Sequence, residues 1–213
     1  MKKLILLVTI VLMCAAFASA EIYVGDPSFE EQSLSAWGPG NGNSVEPPWV
    51  GVGGGWVARE GLYGIHNFPD GTIAASTSND AFYQDLAATY EEGVTYTLSA
   101  MGALRSAGTS QGALDGWQIA LHNATTETEL AATTGAFDLI DCIDGPEAWQ
   151  EISVTYTATA ADAGNPIRIY FGTGSAPNGS NDYRFILDDV HLVPEPTTMV
   201  LLGLGGLLIR RKR

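Results

Sequence analysis

Aromatic side chains are the first candidates for chemistry in this sequence, because sugar rings stack on flat aromatic faces while nearby polar groups bind the hydroxyls. Trp49 and Trp56 flank a glycine-rich stretch, and Tyr63 follows it closely. We predict that these three side chains form a ligand-binding surface. Trp117 and Trp149 belong to segments of alternating apolar residues, which favours the core for both. The alternative for Trp49 and Trp56 is structural, since a loop tryptophan often only fixes its loop.

The net charge of the segment between the two ends of the chain limits the classes of ligand that it can bind. Of the ten Lys and Arg residues, two precede residue 21 and four follow residue 193, so the segment 21–193 keeps four. It also holds 23 of the 24 Asp and Glu residues, which gives it a net charge of −19. Such a field disfavours nucleic acid and anionic membrane surfaces, and it suits divalent cations or neutral ligands. The alternative is that the acidity only keeps an exported protein soluble.

Motifs of common enzyme classes do not occur in the sequence, which has no Gly-x-Ser-x-Gly element and no phosphate-binding loop. Cys142 has no neighbouring histidine in the sequence, and carboxylate pairs are uninformative in so acidic a segment. His66, His122 and His191 lack the spacing of zinc ligands. We therefore predict that the protein is not an enzyme.

The first twenty residues have the pattern of a secretory signal peptide. Two lysines precede the apolar run Leu4–Met13, and Ala18 and Ala20 form the small-x-small site that a signal peptidase reads. The ten residues of this run rise only about 15 Å as a helix, which is too short to cross a bilayer. We expect cleavage after Ala20, so that the mature chain starts at Glu21.

The other end of the chain combines Pro194, Glu195 and Pro196 with an apolar stretch, Met199–Ile209, and four terminal cations. This arrangement resembles the PEP-CTERM sorting signal. The resemblance implies an exosortase-type sorting enzyme as partner, a short transmembrane helix at about 197–209 that anchors the protein transiently, and a place at the cell envelope or outside the cell. The expected organisation is a signal peptide at 1–20, a domain at 21–193 and a sorting signal at 194–213, with its basic end at 210–213.

Strands alternating with turns account for the segment between these signals. Apolar residues recur at every second position in several stretches, as one buried face of a sheet requires, and Gly, Ser, Asn and Asp separate them. The clearest stretches are 94–100, 117–121, 152–156 and 167–171. We predict an all-β domain, an antiparallel β-sandwich.

Both ends of the domain resemble the galactose-binding-like jelly rolls. The opening segment is Gly25–Glu30, followed by Leu34–Trp37, and the closing one is Phe185–Leu192 with its Asp-Asp-Val sequence. Many carbohydrate-binding modules of that fold share these ends. With the Pro69-Asp70-Gly71 turn, the chain is also similar to the group that contains the calcium-dependent Stig cyclases of hapalindole biosynthesis. The resemblance implies a jelly roll in which the first and last strands lie side by side.

That pairing would bring Asp26 and Glu30 close to Asp188 and Asp189, and we predict a structural calcium site there. Calcium binds six to eight hard oxygens from carboxylates and main-chain carbonyls. Strand parity places Asp188 on the face of Ile186, Val190 and Leu192, so its carboxylate is partly buried and needs a partner. The alternative is that these residues are turn acids, with Asp188 bound to main-chain amides.

The function expected from the sequence is that of an exported surface or matrix protein that binds calcium and extracellular polysaccharide. A purely structural envelope protein without a small ligand is the first alternative. A calcium-dependent cyclase-like enzyme is the second, for which no catalytic acid falls on a matching motif. The signal peptidase, the sorting enzyme and a polysaccharide are the expected partners.

Overall fold

The computed structural model describes ten stretches of the chain and gives the fold of the predicted domain. The described residues are 20–32, 45, 47–52, 56–59, 68–71, 73–77, 81–106, 117–135, 149–173 and 183–195. Nearly all of the predicted signal peptide, and all of the predicted sorting helix, lie outside them. Within these stretches, no helix is long and apolar enough to cross a membrane.

Ten strands form two five-stranded antiparallel sheets, and the described stretches contain no helix. Sheet I has the order β2-β3-β10-β5-β8 and sheet II the order β1-β4-β9-β6-β7. The prediction of an antiparallel all-β jelly-roll sandwich is confirmed. The strand bounds are β1 Val50–Val52, β2 Trp56–Arg59, β3 Ile73–Thr77, β4 Ala81–Thr89, β5 Thr95–Ser106, β6 Trp117–Asn123, β7 Thr128–Gly135, β8 Gln150–Thr157, β9 Pro166–Thr173 and β10 Tyr183–Glu195.

The main core lies between the sheets, because alternate residues of each strand face the other sheet. Leu98, Ile152 and Leu187 from sheet I and Ile119 and Ile169 from sheet II are among its buried members. Four aromatic rings pack beside one another at one end, with centroids 4.9–6.0 Å apart. These rings belong to Phe29, Trp49, Phe82 and Phe171.

A β-bulge in β10 changes which side chains face this core. Asp188 pairs with Met101 whereas His191 pairs with Ser99, so β10 carries one extra residue at this point. The backbone of Asp189 accommodates the extra residue by adopting the left-handed conformation, with φ 53°. A one-residue insertion moves the following side chains to the other face of a sheet.

Because of the bulge, the predicted orientation of the Asp188 side chain is wrong. Leu187 and Val190 both lie in the main core, three residues apart, while Asp188 shares the opposite, outer face of sheet I with Ile186. The strand-parity argument treated β10 as regular and therefore placed Asp188 with Val190 and Leu192.

The outer face of sheet I has a small core of its own. Ala74, Ala103, Ile186 and Trp149 are buried there, and Phe68 and Met101 pack against them half-buried. Outer faces of sandwich sheets normally alternate to polar residues, so this apolar cluster marks the outer face of sheet I as unusual.

The segment 20–32 closes the sandwich along β10, as the resemblance implied. Ile22 forms an antiparallel bridge with Leu192, and its N–H donates to the Leu192 carbonyl at 2.9 Å. Further along, the Val190 N–H donates to the carbonyl of Pro27 at 3.1 Å. The segment therefore lies beside the bulge and carries Asp26 and Glu30 to this region.

Candidate functional site on the outer face of sheet I

Asp188 is a fully buried carboxyl group at the edge of the outer cluster. It lies on β10 opposite Met101 and two residues from Ile186, with 0 % of its surface exposed. Its Oδ2 accepts the Asp70 N–H at 3.0 Å, and its Oδ1 accepts the Asp189 N–H at 2.8 Å. Burial raises the pKa of Asp188 to about 7, although the two N–H groups act in the opposite direction.

Among the side chains that the structure describes, no basic group contacts Asp188; the side chains of Arg59, Arg105 and Arg184 lie outside the described part. Arg168 is the arginine whose side-chain contacts the structure describes, and it lies on sheet II. It binds Asp85 through two hydrogen bonds of 2.6 and 3.0 Å. Its guanidinium also lies 4.0 Å from the ring centroid of Tyr83. A carboxyl group buried in this way is stable at neutral pH either as a protonated acid or beside a cation.

Trp149 supplies a hydrogen-bond donor to the same face. It precedes β8 and is 8 % exposed, and within the described part of the chain its Nε1 is buried without an acceptor. Phe68 packs edge-on against it, with centroids 5.7 Å apart and an interplanar angle of 80°. A buried N–H without a partner costs about 1–3 kcal/mol, which a ligand or water oxygen at this position would recover.

The outer face of sheet I thus brings together two aromatic rings, one N–H donor and one carboxyl group. Aromatic rings, an N–H donor and a carboxyl group are the chemistry that a flat, polar ligand needs, and in this structure Trp149 and Asp188 are themselves buried. This combination is not evident from the sequence, because alternation assigns Trp149 to a core without indicating which face of the sheet it packs on.

Trp49 does not belong to this site and corrects the predicted binding surface. It is 1 % exposed, and its ring packs between Phe29, Phe82 and Phe171 in the main core. Its Nε1 donates to the main-chain carbonyl of Asp26 at 2.9 Å. A tryptophan with covered faces and a satisfied N–H has nothing left to offer a ligand.

The predictions for Trp56 and Tyr63 differ from that for Trp49, because the structure does not test them. The backbone of Trp56 pairs with Ser76, which pairs with Ile186, so Trp56 lies in the register row of the outer cluster. Its side chain and all of Tyr63 lie outside the described part of the structure, so their predicted contact with a ligand stays a prediction.

Asp26 holds the turn that follows the first segment. It is 5 % exposed, with φ 47°, and its two carboxylate oxygens accept the Glu31 N–H at 3.0 Å and the Gln32 Nε2–H at 2.6 Å. These hydrogen bonds satisfy the carboxylate locally, as the alternative of a turn acid expected.

The side chains of Glu30 and Asp188 both accept hydrogen bonds from the same short turn. Glu30 Oε1 accepts the Ile73 N–H at 2.5 Å, while Asp188 accepts the N–H of Asp70. A Cβ added at Gly71, whose φ is 77°, would lie 2.2 Å from Glu30 Oε1. Glycine is needed here for both the backbone angle and the close approach of the carboxylate.

The four predicted calcium ligands are therefore brought together only in part. Asp189 turns to His191 instead, with 2.7 Å between its Oδ1 and the histidine Nε2. Among the described residues, no group of three or more His, Cys, Asp or Glu side chains is arranged to hold a metal ion. Main-chain carbonyls of the turn would have to complete any coordination sphere around Glu30 and Asp188.

His191 links the first segment to the bulge. Its Nδ1 binds Glu21, and its Nε2 binds Asp189. Burial lowers the pKa of His191, but the hydrogen bonds to these two carboxylates and their charges outweigh it, so the net shift is upward. The protonated histidine therefore fastens Glu21 to β10.

The fold is an antiparallel jelly-roll sandwich. Its candidate site consists of polar groups that lie within an aromatic cluster on the outer face of sheet I. The family model described as HpiC1-like, HpiC1 cyclase, matches residues 20–193, and the chain belongs to this family. A model of the PEP-CTERM protein-sorting motif matches residues 192–213. No curated protein matches the chain in sequence.

Solved cyclases have the same fold. The Stig cyclase Fisc from Fischerella sp. TAU, in complex with (3Z)-3-(1-methyl-2-pyrrolidinylidene)-3H-indole, has a TM-score of 0.64 at 20% identity, over 84% of this chain and 99% of that one. An apo cyclase from Fischerella sp. has a TM-score of 0.64 at 21% identity, over 84% and 98%. A cyclase from Fischerella sp. TAU with 4-(1H-indol-3-yl)butan-2-one has a TM-score of 0.61 at 20% identity, over 84% and 98%.

Proposed function

We propose that the protein is displayed at the cell envelope and that the outer face of sheet I binds extracellular polysaccharide. The PEP-CTERM motif indicates an exported protein that a sorting enzyme delivers to the envelope. The proposal for the domain rests on one observation, the buried Trp149 N–H without a partner beside Phe68 and close to the Asp188 region.

Sugar chemistry suits this combination of groups. The C–H face of a pyranose stacks on an aromatic ring, and its hydroxyls can accept from the indole N–H and donate to a carboxyl group. The net charge of −19 favours neutral glycans, because an anionic polysaccharide would be repelled by the domain.

Affinity measurements on variants of Trp149 test this proposal. Trp149→Phe keeps an aromatic ring but removes the N–H, and Phe68→Ala removes the neighbouring ring. Each should lower the affinity for a neutral polysaccharide by about 1–3 kcal/mol, as losses at central contacts do. Tyr23→Ala is the matched control, because Tyr23 is 84 % exposed but lies on the first segment, away from the outer cluster.

Equal binding by Trp149→Phe and the wild type would reject the site. Absence of binding to every glycan on an array would favour the purely structural envelope protein instead.

Calcium binding is proposed as a structural role at the turn 70–73. Two carboxylates, from Glu30 and Asp188, already reach this turn, and oxygen is the ligand that calcium prefers. A bound cation would supply a positive charge beside Asp188. Asp26 and Asp189 would support the site by fixing the segment 26–32 and the bulge.

Acid catalysis is a second candidate function, favoured by the raised pKa of Asp188. A carboxyl group that is half protonated near pH 7 can give a proton to a bound molecule and take one back, so an isomerisation through it needs no further reactant. Two related cyclases bind indole compounds, and 4-(1H-indol-3-yl)butan-2-one is therefore a suitable probe.

Titration calorimetry with this indole ketone separates the two candidates. Binding that Asp188→Asn and Trp149→Phe both weaken, without binding to glycans, would favour the cyclase-like function. Binding to glycans alone would favour the surface module.

A further inference from the structure

The sorting motif begins inside the sandwich. Pro194 and Glu195 are the last two residues of β10, and they pair with Tyr96 and Thr95 of β5. Thr97 Oγ1 also donates to Glu195 Oε1 at 3.4 Å, which adds a weak side-chain contact. The first two residues of the Pro-Glu-Pro motif are thus part of a folded sheet.

The first segment of the domain closes the other edge of β10 just before the motif. Ile22 bridges Leu192 in an antiparallel sense, so the residues just before Ile22 lie beside the residues of β10 that follow Leu192. A side-chain contact between Glu21 and His191 also holds this segment against β10, one residue before the bridge in each segment. The two predicted processing sites, after Ala20 and at Pro194, therefore lie at one end of the sandwich.

Among the described strands, β5 is the one that pairs with residues 193–195 of β10, and segment 20–32 contacts β10 just before them, at Leu192. β3 pairs with residues 185–187 only, and β2 does not reach β10. The end of a strand opens at a free-energy cost well below that of global unfolding. Separation of residues 193–195 from β5 is therefore a local event that leaves the core in place.

We propose that the folded domain controls its own sorting, because the sorting enzyme can take the Pro-Glu-Pro motif only after the end of β10 has separated from β5. A protease-type active site needs its substrate as an extended chain with free main-chain groups, and proteolysis of folded proteins proceeds through such opened states. Pairing with β5 occupies these groups in Glu195 and its neighbours. The inference rests on processing by an exosortase-type enzyme, which is part of the proposed function.

A reversible lock between β5 and β10 tests the inference. Thr97 and Val193 are register partners outside the motif, so Thr97→Cys with Val193→Cys can form a cross-strand disulfide without altering Pro194 or Glu195. The matched control is Thr97→Cys with Thr155→Cys, which joins β5 to β8 and leaves β10 free. Both pairs are made with Cys142→Ser in the chain from Glu21 to Arg213, which lacks Cys14.

The measurement is loss of the C-terminal tail, followed by intact mass, when each protein is incubated with membranes that contain an exosortase or with membranes from the same strain without it. We expect the oxidised Thr97–Val193 lock to be processed at least tenfold more slowly than the same protein after reduction. The Thr97–Thr155 control should be processed equally fast in both states.

Equal processing of the oxidised and reduced Thr97–Val193 lock, with the wild type processed normally, would overturn the inference and leave the proposed function standing. A wild-type tail that is kept equally with and without the exosortase would remove the proposed sorting and the inference together.

Discussion

Trp49 and Trp149 are both buried, yet their surroundings differ in the one respect that matters for ligands. Trp49 lies between the sheets, packs against three phenylalanine rings and donates its N–H to the carbonyl of Asp26. Trp149 lies on the outer face of sheet I, and its N–H has no acceptor among the described residues.

The two aspartates near these tryptophans differ as well. Both accept two hydrogen bonds, but those of Asp26 come from its own turn, whereas Asp188 is fully buried in the outer face and burial raises its pKa to about 7. Polar groups that are satisfied within the fold stabilise it, and groups that are buried but incompletely satisfied are retained more often for binding or catalysis. We therefore expect the inner region to contribute mainly to stability and the outer face to ligand binding.

The largest expected effect is at the inner tryptophan. Trp49→Ala should lower the free energy of unfolding by about 3–5 kcal/mol, because it leaves a cavity among Phe29, Phe82 and Phe171. Urea unfolding measures this change. Trp149→Phe should cost far less, and similar losses for both variants would break the comparison.

The buried acid should make stability depend on pH in an unusual direction. Because the pKa of Asp188 rises from 3.8 to about 7 on folding, the folded state keeps a proton that the unfolded chain loses. Stability should therefore fall as the pH rises from about 4 to about 7, by roughly 4 kcal/mol at 1.36 kcal/mol per pKa unit.

The difference in unfolding free energy between the wild type and Asp188→Asn, followed across this range in urea, isolates the contribution of Asp188. Glu92→Gln, at an exposed position in the β4–β5 turn, is the control that should show no such trend. A difference that stays constant between pH 4 and 7 would contradict a raised pKa for Asp188.

Calcium should reduce this pH-dependent loss and raise the melting temperature. A ligand that binds only the folded state at one hundred times its Kd stabilises it by roughly 2.7 kcal/mol, and each kcal/mol corresponds to about 2–4 °C for a domain of this size. Glu30→Gln and Asp188→Asn should lose most of this increase, while Glu92→Gln keeps it.

Magnesium should have a smaller effect than calcium, because its strict octahedral geometry suits a mixed carbonyl and carboxylate site poorly. If sodium chloride at equal ionic strength gave the same shift, screening of the acidic surface would explain it and the calcium site would be rejected.

The smallest expected effect concerns His191. Its pKa is raised in the folded state, so its contribution to stability is complete below its usual pKa of 6.5 and disappears as the pH rises through the raised value. The ring is 41% exposed, so His191→Gln should lower stability by less than about 1 kcal/mol at pH 6 and by progressively less as the pH rises. An equal loss at pH 6 and at pH 9 would mean that packing, and not charge, holds Glu21.

Alternation in the sequence predicted the regular strands well. The segments 117–121, 152–156 and 167–171 fall within β6, β8 and β9, because their inward residues recur at every second position. The closing strand could not be predicted in the same way, since a single extra residue at Asp189 reverses the faces that follow.

A sequence signal for the bulge does exist. Leu187 and Val190 are three apart where a regular strand requires two, and aspartate tolerates the left-handed conformation that a bulge needs. For Trp49 no local pattern distinguishes a core position from a binding loop, because its place depends on rings from β4, β9 and the segment 20–32.

The N–H resonances of the two tryptophans test the central claim most directly. In a ¹H–¹⁵N spectrum of the mature domain, we expect the Trp149 indole signal to shift when a neutral polysaccharide binds, and the Trp49 signal to stay in place. Assignment follows from the Trp149→Phe and Trp49→Phe variants, each of which removes one signal. Binding of the polysaccharide that leaves the Trp149 signal unmoved would contradict the claim that the outer face of sheet I is the ligand site.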